Sequence, residues 1–280
     1  MRVLLTGLTG RIGIHVLRDL YQQQHEIVGL TRGDLSREAR ALVTTLHYGD
    51  ISAPETWLRA LQGVEAVVHM AGISAETSGV FRVNVQSTHV MAGACAEVGV
   101  RRIIFASSNC VLGHCDRADG SRFAFHSLPI DENHPLAPES DYGLSKFVSE
   151  QVLQAASRRW GLTVVALRLS WVWDESQCAR RTSSAWDETG QAPGLWAYVH
   201  VTDCAQAFRL AAESLDTRGF EAVYISAADT TADAPSRDLV AQHYPELVAH
   251  TRHLSANGSL FSWKKARSII GYEPKRTWRS

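Results

Sequence analysis

Short apolar runs alternate with longer stretches of near-3.6 periodicity through the first two-thirds of the chain, the pattern of a parallel β-sheet covered by helices on both faces. The runs predict strands over Val3–Thr6, Glu26–Leu30, Ala66–Met70, Arg102–Ala106 and Thr163–Leu169, with another ahead of Gly49. Phe81, Val85, Thr88, Met91 or Ala92, Cys95 and Val98 recur at helical spacing, which predicts a fourth helix with these side chains inward and Gly99 as its stop. A further helix is expected from about Asp141 to Trp160, ended by Gly161. From Gly113 to Ser140 the prolines and polar residues predict a long loop, a length usually reserved for function or disorder. After Trp171 the alternation breaks, Asp174–Leu195 being polar and aperiodic. A strand over Ala222–Ser226 and helices near Ser236–Gln242 and Phe261–Ile270 follow. The expected layout is a sheet domain over residues 1–170, and a small substrate lobe over 171–280 that interleaves with the end of the sheet.

At 280 residues and 45% hydrophobic, the chain can bury a large core. Its 28 basic and 29 acidic side chains leave a formal charge of -1, so no electrostatic argument favours nucleic acid or an anionic membrane as partner. No apolar run of about 18 residues is present to span a bilayer. The opening residues read as a strand entering a turn and not as a signal peptide. Five cysteines without a C-x-x-C pair read as reduced thiols of a cytoplasmic protein. Cys110, His114, Cys115 and Asp116 match no standard zinc spacing, so no metal is expected.

The candidate chemistry begins at Gly7-Leu8-Thr9-Gly10-Arg11-Ile12-Gly13, which follows the first strand and opens a helix. Glycines there allow a tight turn and close approach of backbone to a pyrophosphate, and the helix amino end presents N–H groups and partial positive charge. At the end of the second strand, where an acidic residue would bond the ribose of NAD, the chain reads Leu30-Thr31-Arg32-Gly33. Arg32 can pair with a 2′-phosphate, which favours NADP over NAD, while Asp34 keeps NAD open. Asp50 and Ile51 follow the third strand, in position to cap an adenine ring; as a turn or helix cap Asp50 would need no ligand.

In Tyr142-Gly143-Leu144-Ser145-Lys146 the phenol and ammonium share one helix face, so they can meet. A neighbouring cation, together with an oxidised nicotinamide, favours phenolate and would bring Tyr142 toward the working range of a base. Ser107-Ser108-Asn109 ends an apolar strand at the carboxyl edge of the sheet, where Ser108 can hold the reacting oxygen near Tyr142.

These segments, in this order, resemble the extended short-chain dehydrogenase/reductase family, also called the NAD-dependent epimerase/dehydratase family. The resemblance runs through Thr6-Gly7-x-x-Gly10-x-x-Gly13, His69-Met70-Ala71-Gly72, Asn84-Val85, Ala106-Ser107-Ser108, Pro129-Ile130-Asp131-Glu132, Leu167-Arg168 and Val199-His200-Val201-Thr202-Asp203, and on to a tail ending at Pro274. It implies a Rossmann-type doubly wound sheet, and Tyr142, Lys146 and Ser108 as the catalytic set. It further implies cofactor contacts from the glycine turn with Arg11 and Ile12, from Ala71, Gly72 and Asn84, and from Tyr142 and Lys146. A subgroup resemblance to uronate and related sugar dehydrogenases implies that Ser74, Ser108, Asn109 and Arg168 hold substrate hydroxyls and a carboxylate. Cys110 stands where those enzymes carry histidine, and their acidic residue at the second strand is absent. Trp171, Trp173, Trp186 and Trp196 can wall a pocket or fill a core. The expectation is an NAD(P)-dependent dehydrogenase or reductase for a small hydroxy or carbonyl compound. A nucleotide-sugar epimerase or dehydratase and a non-catalytic redox sensor are the alternatives. A homodimer through the fourth and fifth helices is implied by the resemblance.

Overall fold

Each apolar run becomes a strand because both faces of the sheet are covered. The computed structural model describes residues 1–74, 79–115, 122–181 and 187–279. Seven parallel strands form the main sheet: β1 (Arg2–Thr6), β2 (Glu26–Thr31), β3 (Thr45–Tyr48), β4 (Ala66–His69), β5 (Arg102–Ser108), β6 (Thr163–Leu169) and β9 (Phe220–Ile225). Their order is β3-β2-β1-β4-β5-β6-β9, so the chain reverses its direction of travel between β1 and β4 and opens a crevice at their carboxyl ends. A separate parallel pair joins β7 (Trp171–Trp173) to β8 (Tyr198–His200).

Alternate residues of each strand feed two cores. On one face Val3, Leu5, Ile104 and Leu167 pack with α1 (Gly13–Gln22), α2 (Arg37–Leu42), α7 (Val201–Glu213) and α9 (Lys264–Ile270). On the other, Leu4, Val67, Ile103 and Val164 pack with α3 (Pro54–Ala60), α4 (Ser87–Val98) and α5 (Asp141–Trp160). Two short helices, α6 (Glu175–Arg181) and α8 (Ser236–His243), lie outside these layers. A third core joins Leu112, Phe125 and Ile130 to Trp196, Val240 and Phe261, so the lobe beside the sheet is built from both halves of the chain. Residues 171–280 are thereby shared: α7, α9 and β9 complete the sheet layers, and the remainder forms the lobe. No helix among the described residues is long and apolar enough to cross a membrane.

Helix α5 has the expected bounds, capped by the Ser140 side chain, which accepts from Gly143 N, and stopped at Gly161 in the left-handed region. The fourth helix departs from expectation. Thr88, Met91, Ala92 and Cys95 are buried, but Phe81 is 38% exposed. Residues Arg82–Gln86 form a π-helical turn, and its wider i→i+5 spacing rotates the segment before it away from the face continued by α4. Strand β3 carries little apolar signal because it is a half-exposed edge. Helix α7, beyond the elements expected from the sequence, buries Val201, Cys204, Ala205 and Phe208 at helical spacing.

Candidate active site

The turn from β1 into α1 is dictated by sterics. Gly7 has φ +76, and a Cβ there would stand 2.8 Å from Ala71 N. A Cβ on Gly13 would stand 2.3 Å from Gly7 O. Helix α1 starts at Gly13 with no side-chain cap on its amino end. The Thr6 hydroxyl joins His69 Nδ1 at 2.8 Å and accepts from Ala71 N at 3.1 Å, which locks the tips of β1 and β4 together.

Two cavities open from this turn and share Gly7, Gly10, Met70 and Gly72. The smaller, of about 260 Å³, includes Arg32, Asp50, Ile51, Ala71 and Arg82 in its lining. The larger, of about 680 Å³, takes in Arg11, Ile12, Ser74, Ser108, Asn109 and Tyr142. The structure therefore gathers most of the expected site residues into one continuous crevice. Arg82, which no local pattern marks, stands at the start of the π turn and joins Arg32 in this lining.

Tyr142 and Ser108 both line the larger cavity, where Ser108 acts to lower the Tyr142 phenol. Lys146 Nζ donates to Ala106 O at 2.8 Å and stands 5.9 Å from the centre of the Tyr142 ring and 4.9 Å from that of Phe105. The ammonium is thus held on a backbone carbonyl, with the Phe105 and Tyr142 rings beside it. Burial pushes Tyr142 up to about 12, with the Cys110 thiol adding to it and Ser108 offsetting part. Burial also draws Lys146 down to about 8, opposed by Glu150. In the protein without the charge of an oxidised nicotinamide, burial sets the direction and the phenol stands above its ordinary value.

Three assigned residues stand back from the cavities. Asn84 is 2% exposed; its Oδ1 accepts from Ile73 N, and its Nδ2 donates to Ile73 O and Ser145 Oγ. It fastens the segment after β4 to α5, so its amide is already committed. Arg168, expected to grip a substrate carboxylate, instead grips Glu150: Nε to Oε1 at 3.0 Å and Nη2 to Oε2 at 2.8 Å, with both residues buried. The alternation along β6 turns Arg168 toward α5, while its neighbour Leu169 faces the cavity. Lys146 lies behind Gly72, whose missing side chain leaves it room: a Cβ there would be 3.4 Å from Nζ.

Of the tryptophans, Trp171 lines the larger cavity and is 45% exposed, whereas Trp173 and Trp196 are core residues. Trp186 and Asp116 lie outside the described residues. Among the described residues no group of three or more His, Cys, Asp or Glu is arranged to hold a metal ion.

Comparison with known proteins places this crevice in a wider group. The family model described as the NAD dependent epimerase/dehydratase family matches residues 3–226. A UDP-glucose 4-epimerase of Azospirillum brasilense is 35% identical over 178 residues, 60% of this chain and 48% of that protein. A uronate dehydrogenase of Pseudomonas syringae pv. tomato is 31% identical over 189 residues, 66% of this chain and 64% of that protein. The chain thus matches about half to two-thirds of the length of these relatives. A short-chain dehydrogenase/reductase superfamily protein from Agrobacterium tumefaciens, solved with bound NAD, shares the fold with a TM-score of 0.71 at 21% identity, covering 100% of this chain and 94% of that one. With the family model matched over residues 3–226, most of its length, the chain belongs to the NAD-dependent epimerase/dehydratase family.

Proposed function

We propose that the protein is an NAD(P)-dependent oxidoreductase that reduces or oxidises a sugar, uronate or similar hydroxy or carbonyl compound, with Tyr142, Ser108 and Lys146 as its catalytic set. The observation that carries this reading is that Tyr142 and Ser108 line one wall of a cavity that runs into the glycine turn. The crevice fits a dinucleotide: close backbone packing at Gly7 and Gly13 holds the turn tight against the ends of β1 and β4, and α1 begins there without a side-chain cap. Gly7, Gly10, Arg11, Ile12 and Gly13 would hold the pyrophosphate; Ala71 and Gly72 would flank it, and Asp50 and Ile51 the adenine. A bound nicotinamide supplies the hydride or takes it up.

The protein's own residues handle the proton and the pose. Ser108 hydrogen-bonds the reacting oxygen, and Ser74 and Asn109 bond neighbouring hydroxyls. With its phenol at about 12, Tyr142 is protonated through neutral pH and is set to donate to a carbonyl oxygen, the direction of reduction. Lys146, positively charged below about pH 8, stabilises the phenolate left behind. NADP is favoured over NAD because Arg32 and Arg82 both face the smaller cavity, while Asp34 accepts from the Tyr48 hydroxyl at 3.3 Å and borders a different hollow. A homodimer through α4 and α5 belongs to this reading, supported by the exposed Phe81 ahead of α4.

A second reading, a nucleotide-sugar epimerase that returns the hydride to its substrate, is favoured by the identity to the Azospirillum protein. Calorimetry with NADP and NAD, followed by turnover on uronates, aldoses and simple ketones, tests both. Net change in nicotinamide absorbance with one of these substrates is the expected result; tight binding without net change supports the epimerase, and no binding of either dinucleotide refutes both. Tyr142→Phe is expected to cut turnover by about 10²–10⁴-fold with dinucleotide affinity nearly unchanged. Equal activity in that variant removes Tyr142 from the mechanism.

A further inference from the structure

The substrate cavity carries a pair of thiols that the proposed reaction does not use. Cys110 Sγ and Cys115 Sγ lie 3.3 Å apart, and both residues line the cavity beside Ser108 and Tyr142. A 3₁₀ turn over Asn109–Leu112 and Gly113 at φ +98 fold the chain back so that residues five apart meet. That fold-back is fixed by packing, since a Cβ on Gly113 would stand 2.1 Å from Ala137 O. Cys95 and Cys204, by contrast, are fully buried, which pushes both thiols up and keeps them from solvent.

We propose that Cys110 and Cys115 are a thiol-modification site: a small dithiol that low-molecular-weight disulfides convert to an internal disulfide, switching off the cavity it lines. One thiolate attacks a sulfur of the reagent, breaks the reagent's S–S bond and releases one reagent thiol. The second cysteine then attacks the mixed disulfide, forms the Cys110–Cys115 bond and releases the other reagent thiol. The protein loses two electrons and two protons, and the reagent gains both.

Closing from the observed contact to a bond of about 2.05 Å moves the sulfurs together by roughly 1 Å, within reach of side-chain rotation and a small shift of the turn. The turn is tied to the catalytic groups. Cys110 N donates to Ser108 Oγ at 3.2 Å, and Cys110 O abuts Gly143, the residue after Tyr142. A contraction there moves Ser108 and the start of α5 relative to each other, and a misplacement near 1 Å in such a site costs about 10²-fold in rate. The bond itself stands apart from the proposed reaction, whereas the loss of turnover rests on it.

The full chain is incubated with oxidised glutathione, blocked with an alkylating reagent, and examined by intact mass and peptide mapping, with turnover measured before and after. The expected product takes up two fewer alkyl groups than the reduced chain, with peptides holding Cys110 and Cys115 cross-linked, and is about tenfold or more slower, recovering with dithiothreitol. Cys110→Ser and Cys115→Ser, each compared with itself, form no internal bond, and neither acquires the dithiothreitol-reversible loss seen in the parent through such a bond. Glutathione retained without an internal bond, or a bond to another cysteine, overturns the site. The bond with undiminished turnover overturns its control of the cavity. The mass result is read even if no substrate is turned over, so failure of the proposed reaction cannot be mistaken for failure of the thiol pair.

Discussion

Arg168 and Glu150 meet in a region shielded from water, with the Ser107 hydroxyl donating to Glu150 Oε1 at 2.6 Å. A bidentate ion pair of this kind is a support for the end of β5, which carries Ser108, and not a free fork for substrate. Breaking one side leaves a buried charge behind. Arg168→Met is therefore expected to lower unfolding free energy by about 3–5 kcal/mol, measured by urea denaturation. A variant as stable as the parent but with a raised KM for a carboxylate substrate would return Arg168 to the site. The arginine was legible as a conspicuous residue at the end of a strand, but its partner sits 18 positions earlier on α5, and only the pairing of β5 with β6 brings them together.

At the scale of elements, the β1–α1 turn is the part most tightly written into the chain. Its glycines are required by contacts within the turn and with Met70 and Ala71, so sequence spacing alone points to it. The two inner glycines differ in how much they yield. A Cβ on Gly10 meets Gly7 O at 3.2 Å, whereas one on Gly13 meets it at 2.3 Å. Gly13→Ala is expected to cost at least about 2 kcal/mol of stability and to abolish dinucleotide binding, with Gly10→Ala milder in the melt. Thermal or urea unfolding and calorimetric titration of both variants check this; equal melts would mean that the turn relaxes freely. Helix α5 was equally legible, since its serine cap, Tyr142 and Lys146 at i and i+4, and closing glycine are all local features. The entry to α4 was not, because a π turn alters the period on which the reading depends.

Across the whole molecule, stability should fall steeply in mild acid. His69 and His114 are buried, which holds them near 3 and 4. An unfolded histidine titrates near 6.5, so below that pH the unfolded chain takes up protons that the folded one refuses, and stability is lost as pH drops toward the folded values. Two such groups amount to about 2 kcal/mol between pH 6 and pH 5. Urea unfolding at pH 5, 6 and 7 measures the slope, and His69→Phe and His114→Phe should each flatten it. A slope unchanged in both would assign the proton uptake to other groups.

Local signals by themselves determined the parallel α/β architecture, the glycine turn, and the extent of α5 with Tyr142 and Lys146 one turn apart on it, because period, caps and glycine sterics act between near neighbours. The tertiary structure alone decided what those signals do to one another. It turned Lys146 onto the Ala106 carbonyl, and it enlisted Asn84 to clasp Ile73 and Ser145. It also ran the tail across Asp203, whose carboxylate accepts from Lys275 N and Arg276 N. The energies of these contacts come from excluding water and joining groups far apart in the chain, and neither burial nor long-range pairing has a period that a sequence can display.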